Sequence, residues 1–176
     1  FADKSEPQLW DRHRQILAEM DLQGEYQRKN LRTVLAALEV LGQRYPERYD
    51  LNQEDIIDSI VHTARRMEFH GRWEKVSDNP YIICDIGHNE HGLRHNFAQL
   101  ARMQAEGECT GLIVVYGSVA DKDVDSVIHL FPEDAVYVFT QAQGRRALDA
   151  EIIRTRFEQR SDSIIVRHNT LNYIND

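Results

Sequence analysis

The segment Pro80-Tyr-Ile-Ile-Cys-Asp-Ile-Gly-His-Asn-Glu-His-Gly92 constrains this chain more than any other. Tyr81 to Cys84 is a short apolar, β-prone run opened by a proline, which predicts a buried strand. Asp85 closes that strand and Gly87 permits a tight turn. His88-Asn89 then opens a helical pattern with Leu93, Phe97, Leu100 and Ala101 on one face. In open α/β sheets, ligands bind beyond the carboxyl ends of the strands. A helix start adds unpaired N–H groups and a positive dipole end, both suited to an anionic ligand. A purely local reading is also open: Asp85 caps the following helix and His88 is an ordinary loop histidine.

With 176 residues the chain can bury one sizeable core, or one core and part of another. A net charge of −8 excludes a nucleic-acid-binding surface as the main expectation, because phosphate backbones call for basic patches. Cys84 and Cys109 form no C-x-x-C pair, and Cys84 falls in the predicted buried strand, so a reduced structural thiol is expected. No apolar run approaches a membrane span and no signal peptide opens the sequence, which makes the cytoplasm the default expectation.

The first 70 residues read as helical. Residues 8–20 suit one helix, with Leu9, Ile16, Leu17 and Met20 as a partial apolar face. Gln27 to Leu41 is the clearest helix: Leu31, Val34, Leu35, Leu38 and Leu41 form one stripe, and Gly42 is expected to end it. Asn52 is placed to cap another helix running to about Met67, with Leu51 and Ile56 as a hydrophobic staple. From Gly71 the period changes. Strands are predicted at 73–76, 81–85, 112–116, 135–140 and 163–166, and helices at 89–105, 124–131 and 148–157. Alternation with long crossovers predicts an α/β domain with a doubly wound, mostly parallel, Rossmann-like sheet over 71–176.

Two joined features carry a resemblance. One is Gly24-Glu25-Tyr26-Gln27-Arg28-Lys29-Asn30, leading into a helix. The other is Gly71-Arg72-Trp73-Glu74, followed by Asp85-Ile86-Gly87-His88-Asn89. Together they resemble the junction between the central and C-terminal domains of the folylpolyglutamate synthase/dihydrofolate synthase family, within the Mur ligase superfamily. Ala120-Asp121-Lys122-Asp123 and Thr140-Gln141-Ala142, with Arg145-Arg146-Ala147-Leu148, are similar to that family's D-K-D loop and R-A-L segment. The resemblance spans Leu22 to Val166. It implies a helical remnant of the central ATPase domain over 1–70 and a C-terminal glutamate-ligase domain over 71–176.

The family activates a carboxylate with ATP as an acyl phosphate, which an amino group attacks to give an amide. By resemblance, Asn30 faces the adenine, Arg72 reaches the ATP phosphates and Asp85 accepts from the ribose hydroxyls. His88 lines the glutamate site, with Lys122 as a weaker candidate cation beside it. Arginine offers a planar, permanently charged fork suited to phosphate oxygens, and catalysis of this kind is mostly positioning and charge stabilisation. Each residue has a plainer reading too: Asn30 as a cap on its own helix, Arg72 as a linker salt bridge, Lys122 as a solvated loop residue. His88, His91 and His95 could suggest zinc, but the H-E-x-x-H motif does not occur and no further ligand pattern supports a metal site.

The resemblance implies ATP and Mg2+, with folate or dihydropteroate and glutamate as substrates, in folate and one-carbon metabolism. It also implies that the N-terminal and central domains of the same protein are the chain's partners. The phosphate loop G-x-x-x-x-G-K-[ST] does not occur in this sequence, nor do the family's metal ligands. The sequence stops before the family's G-S segment and last strand. A C-terminal fragment, inactive alone, is therefore expected. Two other functions are open on the same fold: a non-catalytic binding module, and a Mur-type peptidoglycan amino-acid ligase.

Overall fold

The computed structural model describes residues 7–48 and 53–160. The chain divides into two compact units, Phe1–Ile86 and Gly87–Asp176, each with its own apolar core.

In the first unit, α1 (Pro7–Glu19), α2 (Gln27–Arg44), α3 (Gln53–Val61) and the single-turn α4 (Thr63–Arg66) precede a hairpin of β1 (Glu74–Asp78) and β2 (Tyr81–Cys84). The helices bury Ile16, Met20, Leu31 and Val61, with Leu17, Leu35, Ile57 and Ile60 around them. The stripe on α2 is used unevenly: Leu31 is 2% exposed and Val34 is 44% exposed. This helix runs through Gly42 to Arg44 instead of ending at the glycine. One interior glycine costs only about 1 kcal/mol relative to alanine, too little to stop a helix by itself. The helix predicted to reach Met67 is broken at His62. Asp21 caps the restart, accepting from Ala64 N at 3.0 Å and Arg65 N at 2.9 Å. Asn52 and Leu51, the expected cap and staple, lie outside the described residues.

β1 and β2 pair antiparallel, with Glu74 opposite Cys84 and Asp78 opposite Tyr81. Tyr81–Asp85 was expected as a buried strand among parallel neighbours, and this is corrected. Asn79-Pro80 leaves room for a hairpin only, whereas a parallel crossover needs a dozen or more residues. Tyr81, Ile82 and Cys84 are also exposed, so Cys84 is not a buried thiol.

The second unit carries the α/β character. Its described residues include α5 (Glu90–Ala105), β3 (Ile113–Tyr116), a 3₁₀ turn (Ile128–Leu130), β4 (Val136–Phe139) and α6 (Ala150–Arg160). β3 and β4 pair parallel, from Ile113 opposite Val136 to Tyr116 opposite Phe139. Tyr137, Ile153 and Phe157 are fully buried. The Phe131 ring meets Phe157 at 4.8 Å, Tyr116 at 4.8 Å and Phe97 at 4.7 Å, so one aromatic cluster joins the sheet to both helices.

The helix predicted over 124–131 is instead a series of turns ending in the 3₁₀ turn. Ser126 donates its hydroxyl to the Asp123 carbonyl at 2.8 Å and its N–H to the Asp123 carboxylate at 3.3 Å, which tightens the chain there. Val124, Val127, Ile128 and Phe131 are nonetheless buried, as their spacing predicts. α6 starts at Ala150 and not at Leu148, whose N–H is committed to the Ser118 carbonyl at 2.9 Å. On α5 the inward face is Leu93, Asn96, Gln99 and Met103, while Ala101 is exposed. The strand predicted at 163–166 lies outside the described residues. Among the described residues no helix is long and apolar enough to cross a membrane.

Candidate functional site

The loop Gly71–Glu74 and the residues just after β2 form one hydrogen-bonded knot in the first unit. Asp85 Oδ2 accepts from the Trp73 N–H at 2.8 Å and from the Tyr26 hydroxyl at 3.0 Å. Ile86 N–H donates to the Gly71 carbonyl at 2.9 Å. Gly71 N–H donates to Glu74 Oε2 at 2.8 Å, and Glu74 Oε1 lies 2.8 Å from His70 Nδ1. The His70 ring and the Gly71 N–H together hold Glu74 below the usual carboxylate range.

Local backbone demands explain the residue types. Gly71 has φ +72°, and a Cβ there would lie 2.7 Å from Ile86 Cγ2, so both conformation and space call for glycine. Trp73 takes φ +54°, the left-handed region that costs a bulky residue of order 1–3 kcal/mol. Its charge-assisted bond to Asp85 and its burial, at 6% exposure, offset that cost. Between them the half-buried Arg72 has its guanidinium carbon 5.4 Å over the Phe69 ring. The turn thus presents a planar cation on an aromatic perch.

Tyr26 brings the start of α2 to this knot. Its ring lies over Gly24, where a Cβ would meet Tyr26 Cε1 at 2.5 Å. Burial, and secondarily the Asp85 carboxylate, push the phenol pKa well above its ordinary value, so Tyr26 is a protonated donor. One turn on, Asn30 is exposed, and its amide donates to Oε1 of the buried Gln27 at 2.8 Å. Tyr26, not Asn30, occupies the N-cap position of α2.

His88 and Lys122 stand on different loops of the second unit. His88 is exposed, next to Asn89, whose Oδ1 caps α5 by accepting from Gly92 N at 2.8 Å. Asn89 therefore does the capping that a local reading assigned to Asp85. Lys122 is half-buried in the loop after β3. That loop is stitched to the Arg145–Leu148 segment: Ala120 N–H donates to the Arg146 carbonyl at 2.8 Å, and Arg146 pairs with Asp121 at 2.9 Å. The D-K-D and R-A-L motifs are thus one structural feature. The sequence reading missed Tyr26, Gln27, Trp73 and Glu74 as supporting residues, although all four lie inside the two motifs that carry the resemblance. Among the described residues no three His, Cys, Asp or Glu side chains converge as metal ligands.

Comparison with known proteins identifies the family. The family model for the Mur ligase, glutamate ligase domain, matches residues 65–175. A probable bifunctional folylpolyglutamate synthase/dihydropteroate synthase of Haloferax volcanii is 31% identical over 106 residues, covering 60% of this chain and 12% of that protein. A dihydrofolate synthase/folylpolyglutamate synthase of Buchnera aphidicola subsp. Baizongia pistaciae is 33% identical over 86 residues, 48% of this chain and 20% of that protein.

Two solved structures share the fold. Mycobacterium tuberculosis folylpolyglutamate synthase, complexed with ADP and AMPPCP, has a TM-score of 0.60 at 24% identity, over 80% of this chain and 29% of that one. E. coli FolC in complex with ADP has a TM-score of 0.58 at 24% identity, over 74% and 29%. The chain thus spans 12% and 20% of the two curated relatives. With the family model covering more than half of its residues, the chain belongs to the Mur ligase family and carries that family's glutamate ligase domain.

Proposed function

We propose that the protein containing this chain is an ATP-dependent folylpolyglutamate/dihydrofolate synthase, an amide-forming ligase. In this reading a folate or pteroate carboxylate oxygen attacks the γ-phosphorus of ATP, ADP leaves, and an acyl phosphate forms. The amino group of glutamate then attacks the acyl carbon, phosphate departs, and an amide remains. The observation that carries the reading is the Asp85 knot, which ties the Gly-Arg-Trp-Glu turn to the start of α2 through two bonds to one carboxylate oxygen. The family match and the two curated folate-synthase relatives support the same reading.

Within it, Asp85 accepts from the ribose hydroxyls and Asn30, oriented by Gln27, faces the adenine. Arg72 leaves its perch on Phe69 for the ATP phosphates. His88 and Lys122 serve the glutamate carboxylates, His88 as donor and Lys122 as point charge. Magnesium would neutralise phosphate charge when bound. Since no three candidate ligands converge among the described residues, we assign none of its ligands to them. We further propose that residues 1–70 close the central ATPase domain and that 71–176 form the ligase domain, in agreement with a family match beginning at residue 65. A cytoplasmic location, where ATP and glutamate are abundant, belongs to the same proposal.

The test is substrate choice by the full-length enzyme. Release of ADP that depends on glutamate and on dihydropteroate or a reduced folate supports the reading. Release that depends instead on a UDP-muramyl peptide would assign a peptidoglycan ligase, and no carboxylate-dependent release would assign a binding module.

A further inference from the structure

The hydrogen bonds around Asp85 converge on a residue that the family motif contains but that carried no assigned role. We infer that Tyr26 is a positioning residue for the nucleotide: its hydroxyl, with the Trp73 N–H, fixes the rotation of the Asp85 carboxylate that meets the ribose hydroxyls. The inference rests on the ribose reading of Asp85 proposed above.

A carboxylate at the end of a strand can rotate about its last torsion, a broad and roughly two-fold coordinate. Here two donors reach the same oxygen, Oδ2, from different directions: Trp73 N at 2.8 Å and Tyr26 Oη at 3.0 Å. Two donors on one oxygen select one plane for the group. One donor is backbone, held by the Gly71–Glu74 turn; the other arrives from a residue 59 positions earlier in the chain. Neither donor can drift. The Tyr26 ring is fixed over Gly24, where the absence of a side chain leaves it room. Trp73 is buried and held in its left-handed conformation. A pre-oriented acceptor spares the nucleotide the entropy of arranging it, which raises affinity without any contact between Tyr26 and the ligand.

The same tyrosine also precedes Asn30 by one helical turn on α2. A shift of Tyr26 away from Asp85 therefore also moves the helix start that carries the adenine-facing residue. Gly24 takes part at one remove, since a methyl group there would displace the ring.

The experiment measures kcat/KM of the full-length enzyme for ATP and for 2′,3′-dideoxy-ATP, in wild type, Tyr26→Phe, Gly24→Ala and Asp85→Asn. The ratio of the two constants is independent of how much of a preparation is folded, so a variant that melts early still gives an answer. Wild type should prefer ATP by about tenfold or more, the scale of hydrogen bonds to a charged acceptor. Tyr26→Phe and Gly24→Ala should narrow that ratio to within about threefold and raise the KM for ATP more than they lower kcat. The KM for glutamate should not move. If Tyr26→Phe keeps the wild-type ratio while Asp85→Asn abolishes it, the positioning role is overturned and the ribose reading stands. A wild-type enzyme that does not distinguish the two nucleotides overturns the ribose reading and this inference together.

Discussion

Trp73 donates its backbone N–H to Asp85 Oδ2 over 2.8 Å, and does so from a backbone φ of +54°. The carboxylate therefore has work to do in the folded protein before any ligand arrives. Substituting Asp85 removes the proposed ribose contact and also the partner that stabilises a strained turn.

Asp85→Asn and Asp85→Ala separate those two roles. Asparagine keeps one oxygen for Trp73 and Tyr26 but loses the charge and exchanges the second acceptor oxygen for an NH2 donor; alanine loses the whole group. In the full-length enzyme, Asp85→Asn should raise the KM for ATP about ten- to a hundredfold with a near-wild-type melting temperature. Asp85→Ala should add a loss of about 1–3 kcal/mol in stability. Thermal melts beside ATP titrations check both. Equal melting of the two variants would remove the structural role of Asp85.

Arg72→Lys retains the charge and loses the planar fork. If Arg72 braces the transferring phosphoryl group, kcat should fall by about tenfold or more while the KM for ATP rises less. Lysine would also give up the stacking of a flat cation on Phe69. Steady-state kinetics at saturating glutamate decide this, and wild-type turnover would make Arg72 a linker residue only.

His13 supplies a pH dependence. It is 2% exposed and donates from Nε2 to the Arg28 carbonyl at 3.1 Å. Burial, and secondarily the nearby Arg32 and Arg28 charges, lower its pKa from the ordinary 6.5. The unfolded chain therefore binds the proton first as pH falls through 6.5. The stability His13 contributes is present above that value and is lost progressively below it, toward the lowered folded pKa. Melting temperature of this chain should fall as pH drops through and below 6.5, and His13→Gln should flatten that slope. A slope unchanged by the substitution would assign the acid sensitivity to other groups.

The local signals in the sequence proved the most legible ones. Asn89 caps α5 where the sequence starts a helix, and Val124, Val127, Ile128 and Phe131 are buried even though the backbone there is turns and not helix. Spacing reports which side faces inward more faithfully than it reports the backbone that carries it. The strand before Asp85 illustrates the opposite case: four apolar-leaning residues read as buried, but Asn79-Pro80 forces a hairpin and exposes Tyr81, Ile82 and Cys84.

Of the candidate site, Asp85 was legible as a carboxylate closing an apolar run, and Arg72 only through the resemblance carried by Gly71-Arg72-Trp73-Glu74. Tyr26 was not. Its partner lies 59 residues away, and no periodicity encodes a contact of that span. The burial of Trp73 in a left-handed conformation was equally hidden, since propensity argues against a bulky residue there.

The central claim is that the substrate carboxylate is activated by phosphoryl transfer from ATP, and oxygen tracing tests it most directly. The full-length enzyme would be given pteroate or folate labelled with ¹⁸O in the reacting carboxylate, with ATP and glutamate, and the released phosphate analysed by mass. The account predicts one ¹⁸O in each phosphate released and ADP as the co-product. Phosphate without label, or AMP in place of ADP, would contradict it.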